Sequence, residues 1–131
     1  MARILVVEDN VANMTLATFL LESAGHVVLS ATDAETGVAV ARDAHPDLIL
    51  MDIQLPGMDG LQATGLLKAD DATRSIPVIA LTALAMKGDE ERILAAGCDG
   101  YVAKPLAYKS FLAVISEHLA HGAPGDHVVQ R

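Results

Sequence analysis

Leu48-Ile49-Leu50-Met51-Asp52-Ile53-Gln54-Leu55-Pro56-Gly57-Met58-Asp59-Gly60 is the stretch from which the rest of the chain can be read. Four apolar residues in a row predict a strand covered on both faces, as in a parallel sheet. The run stops at a carboxylate, Asp52. Pro56-Gly57 then predicts a turn, and Asp59 offers an N-cap for a following helix. An acid at the C-terminal tip of a buried parallel strand stands where open α/β sheets place their ligands.

Outward from this stretch the pattern repeats. Towards the N-terminus, Ile4-Leu5-Val6-Val7 is a second apolar run, ending at Glu8-Asp9-Asn10. A helix is expected from about Val11 to Ala24, capped by Asp9 or Asn10 and closed by Gly25. Its residues Met14, Ala17, Leu21 and Ala24 recur at helical spacing and should face the sheet. His26 to Ser30 reads as a strand. A helix from Asp33 or Ala34 to Ala44 follows and is broken by His45-Pro46. Beyond the central stretch come a helix from about Leu61 to Ala69, a strand from Ile76 to Leu81 and a helix from Met86 to Ala96. A short strand, Tyr101 to Ala103, precedes Lys104-Pro105, and a last helix spans Ala107 to about His121. Five alternations of strand and helix predict a doubly wound parallel sheet with right-handed crossovers. Residues 1–121 are expected to form one domain and 122–131 a flexible tail.

Bulk properties narrow the function. The 131 residues suffice for one core, and a 52% hydrophobic composition excludes a disordered chain. No apolar run is long enough to cross a bilayer and no cleavable leader is visible, so a cytoplasmic protein without membrane contact is expected. A net charge of −8 disfavours direct nucleic-acid binding. The single cysteine, Cys98, excludes an internal disulfide and reads as a packing residue. His118 and His121 share a helix face but read as solvated rather than metal-binding.

In a parallel sheet all strand tips lie on one edge, which gathers Glu8, Asp9, Asp52, Thr82 and Lys104. Each alone has an ordinary reading as a cap, a turn starter or a surface residue. Together they suggest chemistry. Three close carboxylates repel unless a cation is present, and an all-oxygen pocket with few protein ligands suits Mg²⁺, or Mn²⁺ in its place. Such a cation screens Asp52 and lets a phosphoryl donor approach. Lys104 can pair with one phosphoryl oxygen and the Thr82 hydroxyl can donate to another. Asp52 then acts as nucleophile and becomes an aspartyl phosphate.

The residues that carry this reading resemble those of response-regulator receiver domains, the CheY-like family. The marks are Val6-Val7-Glu8-Asp9-Asn10, the central stretch Leu50 to Gly60, Leu81-Thr82-Ala83 and Lys104-Pro105, and the match runs from about Ala2 to Leu119. The resemblance implies strand order 2-1-3-4-5, an order that general accounts of doubly wound sheets give for this family. It also implies Mg²⁺ on Asp9, Asp52 and the backbone carbonyl of Gln54, with Glu8 helping through water. Lys104-Pro105 is then cis, and Thr82 and Tyr101 move together on activation. The phosphoryl donor is a histidine kinase or a histidine phosphotransfer protein, and a phosphorylation-dependent protein target reads the result. Glu8 stands where many members have aspartate. The run Thr82 to Arg92 is similar to DivK-type single-domain regulators and to receivers of hybrid kinases.

We therefore expect a single-domain response regulator, monomeric or weakly dimeric, that takes up a phosphoryl group without being a turnover enzyme. Met1 directly before the first strand favours a natural start, and a receiver excised from a hybrid kinase is the alternative. A haloacid-dehalogenase-type phosphatase also uses a strand-end aspartate, Mg²⁺ and lysine. It wants a second acid two residues on, where Gln54 stands. A flavodoxin-like cofactor binder is disfavoured by the acids after the first strand, which repel phosphate. The expected docking residues are Ala12, Leu16, Phe19 and Pro105. Output is expected through Met86, Lys87, Glu91 and Tyr108. By the family's geometry Gln54 and Leu84 overhang the water approach to a phosphorylated Asp52. An apolar Leu84 should then make self-dephosphorylation slow.

Overall fold

The computed structural model describes residues 2–83 and 87–122. Leu84, Met86, the Lys87 side chain and the tail from residue 123 lie outside the described residues, and with them the expected water gate and part of the expected output face.

Ten elements alternate: β1 (Arg3–Val7), α1 (Val11–Ser23), β2 (Val27–Ala31), α2 (Ala34–Ala44), β3 (Leu48–Asp52), α3 (Gly60–Ala69), β4 (Val78–Thr82), α4 (Lys87–Ala95), β5 (Gly100–Ala103) and α5 (Tyr108–Gly122). The strands form one sheet in the order β2-β1-β3-β4-β5, and every pairing is parallel. β1, β3 and β4 lie inside the sheet, and their unbroken apolar runs are covered on both faces.

Strand alternation divides the core into two layers. Leu5, Val7, Ile49, Met51, Val78 and Ala80 pack with α2, α3 and α4 through residues such as Val38, Leu67 and Ile93. Ile4, Val6, Leu48, Leu50, Ile79 and Leu81 pack with α1 and α5 through Leu21, Phe111 and Ile115.

Caps fix the helix starts. The Asn10 side chain accepts from the Asn13 N–H at α1, so Asn10 rather than Asp9 is the cap. Asp33 caps α2 through Thr36. At α3, Asp59 and Gln62 exchange side-chain and backbone hydrogen bonds in a reciprocal capping box.

Two expectations are corrected. Ala24 does not join the buried stripe of α1: it is the C-cap, off the helical path, and exposed. Leu20 takes that place, since Ala17, Leu20 and Leu21 stand at i, i+3 and i+4. β4 begins at Val78 rather than Ile76, because Pro77 has no N–H for the ladder and contributes only its carbonyl, which accepts from Ile49.

Candidate phosphoacceptor and metal site

The C-terminal tips of four strands supply the site. Glu8 is the first residue after β1 and Asp52 the last of β3. Thr82 is the last of β4, and Lys104 directly follows β5. Parallel pairing brings them to one edge, as the sequence predicts. The backbone ladder runs one residue past the strands: the Ile53 N–H donates to Leu81 O at 3.2 Å and the Lys104 N–H to Thr82 O at 2.8 Å. Lys104 is thereby locked to the tip of β4, the strand beside the one that carries Asp52. The Lys104-Pro105 peptide is cis.

The electrostatics are compact. The Lys104 ammonium lies 3.0 Å from Asp52 Oδ2 and 2.9 Å from Glu8 Oε1. Asp52 and Glu8 are 2% and 1% exposed, so both carboxylates have left water almost completely. Asp52 Oδ1 accepts from the Gln54 N–H at 2.9 Å, and Glu8 Oε2 from the Asn10 N–H at 3.2 Å. Glu8 Oε1 is buried and receives no directed hydrogen bond among the described residues; its contact with Lys104 is one of charge and proximity.

Asp9 is exposed and completes a set of three acids, with Glu8 and Asp52, whose ligand oxygens lie within 4.8 Å of one another. Burial pushes the Glu8 carboxyl up, and its contact with Asp52 acts the same way against Lys104 and the Asn10 N–H. Burial works against the Lys104 ammonium, but Glu8 and Asp52 outweigh it and hold the amine above its ordinary range.

One ammonium thus faces two buried carboxylates and a nearby third. A small hard cation fits this set: all donors are oxygens, the acids carry excess negative charge, and a buried Glu8 oxygen lacks a directed hydrogen bond among the described residues.

The remaining predicted residues fall into two groups. Thr82 is fully buried at its strand tip. Tyr101 is half-buried on β5, and its hydroxyl donates to the Glu90 carboxylate on α4. Apart from this site, Ala12 and Pro105 are exposed, Leu16 is 38% and Phe19 66% exposed. The outer face of α1 is therefore open to solvent. Val11, 80% exposed, extends it and was not foreseen. Glu91 and Tyr108 are also exposed.

Sequence reasoning overlooked two residues. Gly60 opens α3 against the backbone of Asp52; its signal was a glycine immediately after an Asp cap. Glu90 has no local signal, since one more acid in Asp89-Glu90-Glu91 looks like any solvated helix face.

A doubly wound sheet in this order, with paired acids after β1, an aspartate ending β3 and a lysine after β5, defines a phosphoacceptor module of two-component signalling. The chain belongs to the response regulator receiver domain family, whose description matches residues 4–116. It is 47% identical over 116 residues to the polar-differentiation response regulator DivK of Brucella ovis, covering 88% of this chain and 94% of that one. DivK of Brucella anthropi matches to the same extent.

Among solved structures, it resembles the receiver domain of a sensor histidine kinase from Pseudomonas aeruginosa, which has magnesium coordinated in its active-site cleft. The TM-score is 0.84 and the identity 38%, over 90% of this chain and 97% of that one. A CheY of Vibrio cholerae gives a TM-score of 0.84 at 25% identity, covering 89% and 98%. The chain is a DivK-like response regulator of a two-component phosphorelay, and the phosphatase alternative is not favoured. No described helix is long and apolar enough to cross a membrane.

Proposed function

We propose that Asp52 accepts a phosphoryl group from a phosphohistidine on a histidine kinase or a histidine phosphotransfer protein. The observation that carries this is the Lys104 ammonium seated between Asp52 Oδ2 and Glu8 Oε1 at a strand edge that also holds Asp9. Glu8, Asp9, Asp52 and the Gln54 carbonyl would hold Mg²⁺, or Mn²⁺ in its place. When bound, the metal supplies positive charge that offsets repulsion between the carboxylates and the incoming phosphoryl group.

An Asp52 oxygen attacks phosphorus as the phosphorus–nitrogen bond of the donor breaks, and the imidazole leaves with that bonding pair. The Gln54 N–H, already on Oδ1, fixes the orientation of the carboxylate. Lys104 follows the negative charge from Asp52 to a phosphoryl oxygen. Thr82, on the neighbouring strand, donates its hydroxyl to another. One acid takes up one phosphoryl group, so the chain is a switch rather than a turnover enzyme. Gln54 has no titratable proton and cannot supply the general acid of a phosphatase.

The donor docks on the open face of α1 made by Ala12, Leu16 and Phe19, with Pro105 beside it. When Thr82 turns towards the phosphoryl group, Tyr101 moves with it and shifts the population between two packings of α4, β5 and α5. A phosphorylation-dependent target reads that face, through Glu91 and Tyr108 among others.

Incubation with Mg²⁺ and acetyl phosphate, followed by intact-mass measurement, tests the assignment. One phosphoryl group is expected on the wild type and none on Asp52→Asn. Stable labelling of that variant at another residue would overturn the reading.

A further inference from the structure

Strand register places Tyr101 opposite Ala80, and Ala103 opposite Thr82. Paired residues, and residues two apart on one strand, share a face of the sheet. Tyr101 and Thr82 are therefore diagonal neighbours on the same face, and the sheet positions flanking the path between them, Ala80 and Ala103, carry only methyl groups. The Tyr101 ring packs against the core layer that contains Ala80 and Ile93. Its hydroxyl, however, is held on another element: it donates to the carboxylate of Glu90, in the first turn of α4. The nearby Arg92 faces Asp89, at 3.8 Å.

We infer that Glu90 is a positioning residue that holds the Tyr101 hydroxyl at the rim of α4 and so sets the threshold at which the site switches. The inference rests on the Tyr101 switch proposed above and names what opposes it. For the ring to slide along the alanine path towards Thr82, its hydroxyl must leave Glu90. A hydrogen bond to a carboxylate is stronger than one between neutral groups. A contact present in one packing and absent in the other biases their populations by its own worth. Glu90 also lies on the helix that follows Thr82 in the chain, so the bond joins the element after the switch threonine to the strand that leads into Lys104.

The test titrates beryllofluoride, as a phosphoryl stand-in, at saturating Mg²⁺ into ¹⁵N-labelled protein, and the midpoint is read from the backbone amide signal of Thr82, a reporter that every variant below retains. Glu90→Ala and Tyr101→Phe are each expected to lower the midpoint about five-fold, the worth of roughly one hydrogen bond. The double variant should lower it no further, because both changes remove the same bond. Glu90→Gln, which keeps an acceptor oxygen but loses the charge, should fall between the wild type and Glu90→Ala. Additive effects, a Glu90→Ala midpoint equal to the wild type, or a Gln variant behaving like Ala would each overturn the role of Glu90. Tyr101→Ala separates the two layers. If it shifts the midpoint and Glu90→Ala does not, only the positioning role fails. If it shifts neither the midpoint nor the Thr82 signals, the Tyr101 switch itself fails, and this inference with it.

Discussion

A side-chain carbon placed on Gly60 would lie 2.1 Å from the backbone oxygen of Asp52. The first turn of α3 is thus pressed against the tip of β3, and only a residue without a Cβ allows it. Gly60→Ala is expected to destabilise the protein by about 1–3 kcal/mol, since a backbone atom rather than a flexible side chain must give way. Mg²⁺ affinity should fall with it, because Asp52 shares that backbone. Urea unfolding and calorimetric titration check both. Gly65→Ala, in open space on the same helix, is the control. It is expected to stabilise the protein by about 0.5–1 kcal/mol and leave Mg²⁺ binding unchanged.

Lys104 balances two buried acids, so removing it without the metal leaves both uncompensated. Lys104→Met is expected to cost about 3–5 kcal/mol in EDTA. Added Mg²⁺ should recover more stability in the variant than it adds to the wild type, because the cation replaces the missing charge. Thermal melts with and without Mg²⁺ measure this difference. Labelling by acetyl phosphate should stay slow even at saturating Mg²⁺.

The raised Glu8 carboxyl makes a pH prediction with a definite sign. A carboxyl whose pKa is higher in the folded state contributes stability that is fully present below its ordinary range and lost as pH rises through the folded value. The metal-free protein should therefore gain stability from this group on mild acidification from neutral pH. Glu8→Gln should flatten that slope and stabilise the metal-free form at pH 7. Mg²⁺ reverses the trend, because binding needs ionised ligands and its affinity falls as Glu8 takes up a proton. Lys104, also raised, loses its contribution only in strongly alkaline solution. Unfolding curves from pH 5 to 8, in EDTA and in Mg²⁺, should slope in opposite directions.

Phe19 and Leu16 leave a contiguous apolar face on α1 open to solvent. Leu16→Glu or Phe19→Glu is expected to slow phosphotransfer from a histidine donor protein about ten-fold or more. Labelling by acetyl phosphate should be unchanged, because that small donor needs no docking face. Both rates measured on one preparation decide it. Equal loss of the two would assign these residues to packing instead.

Much of this protein was legible in the sequence because its signals are local. The apolar runs Ile4–Val7 and Leu48–Met51 identified parallel strands, Asp59 a helix start, and the alternation of elements an edge where all strand tips meet. Glu8, Asp52, Thr82 and Lys104 could be grouped without coordinates, since in a parallel sheet a residue's place at a strand end fixes its place at the site. Helix periodicity also separated Leu16 and Phe19 from the buried stripe, though it left Leu20 out and misjudged Ala24, where one residue of phase or the end of the helix decides burial.

Only the tertiary structure decided the rest. It selected Asn10 over Asp9 as the cap, left a Glu8 oxygen without a directed hydrogen bond among the described residues, and set Gly60 against the carbonyl of Asp52. It also joined Glu90 to Tyr101 across two elements. Each of these depends on distances between segments far apart in the chain. Such distances follow from how helices seat on the sheet, a product of many small packing terms that no short window of sequence contains.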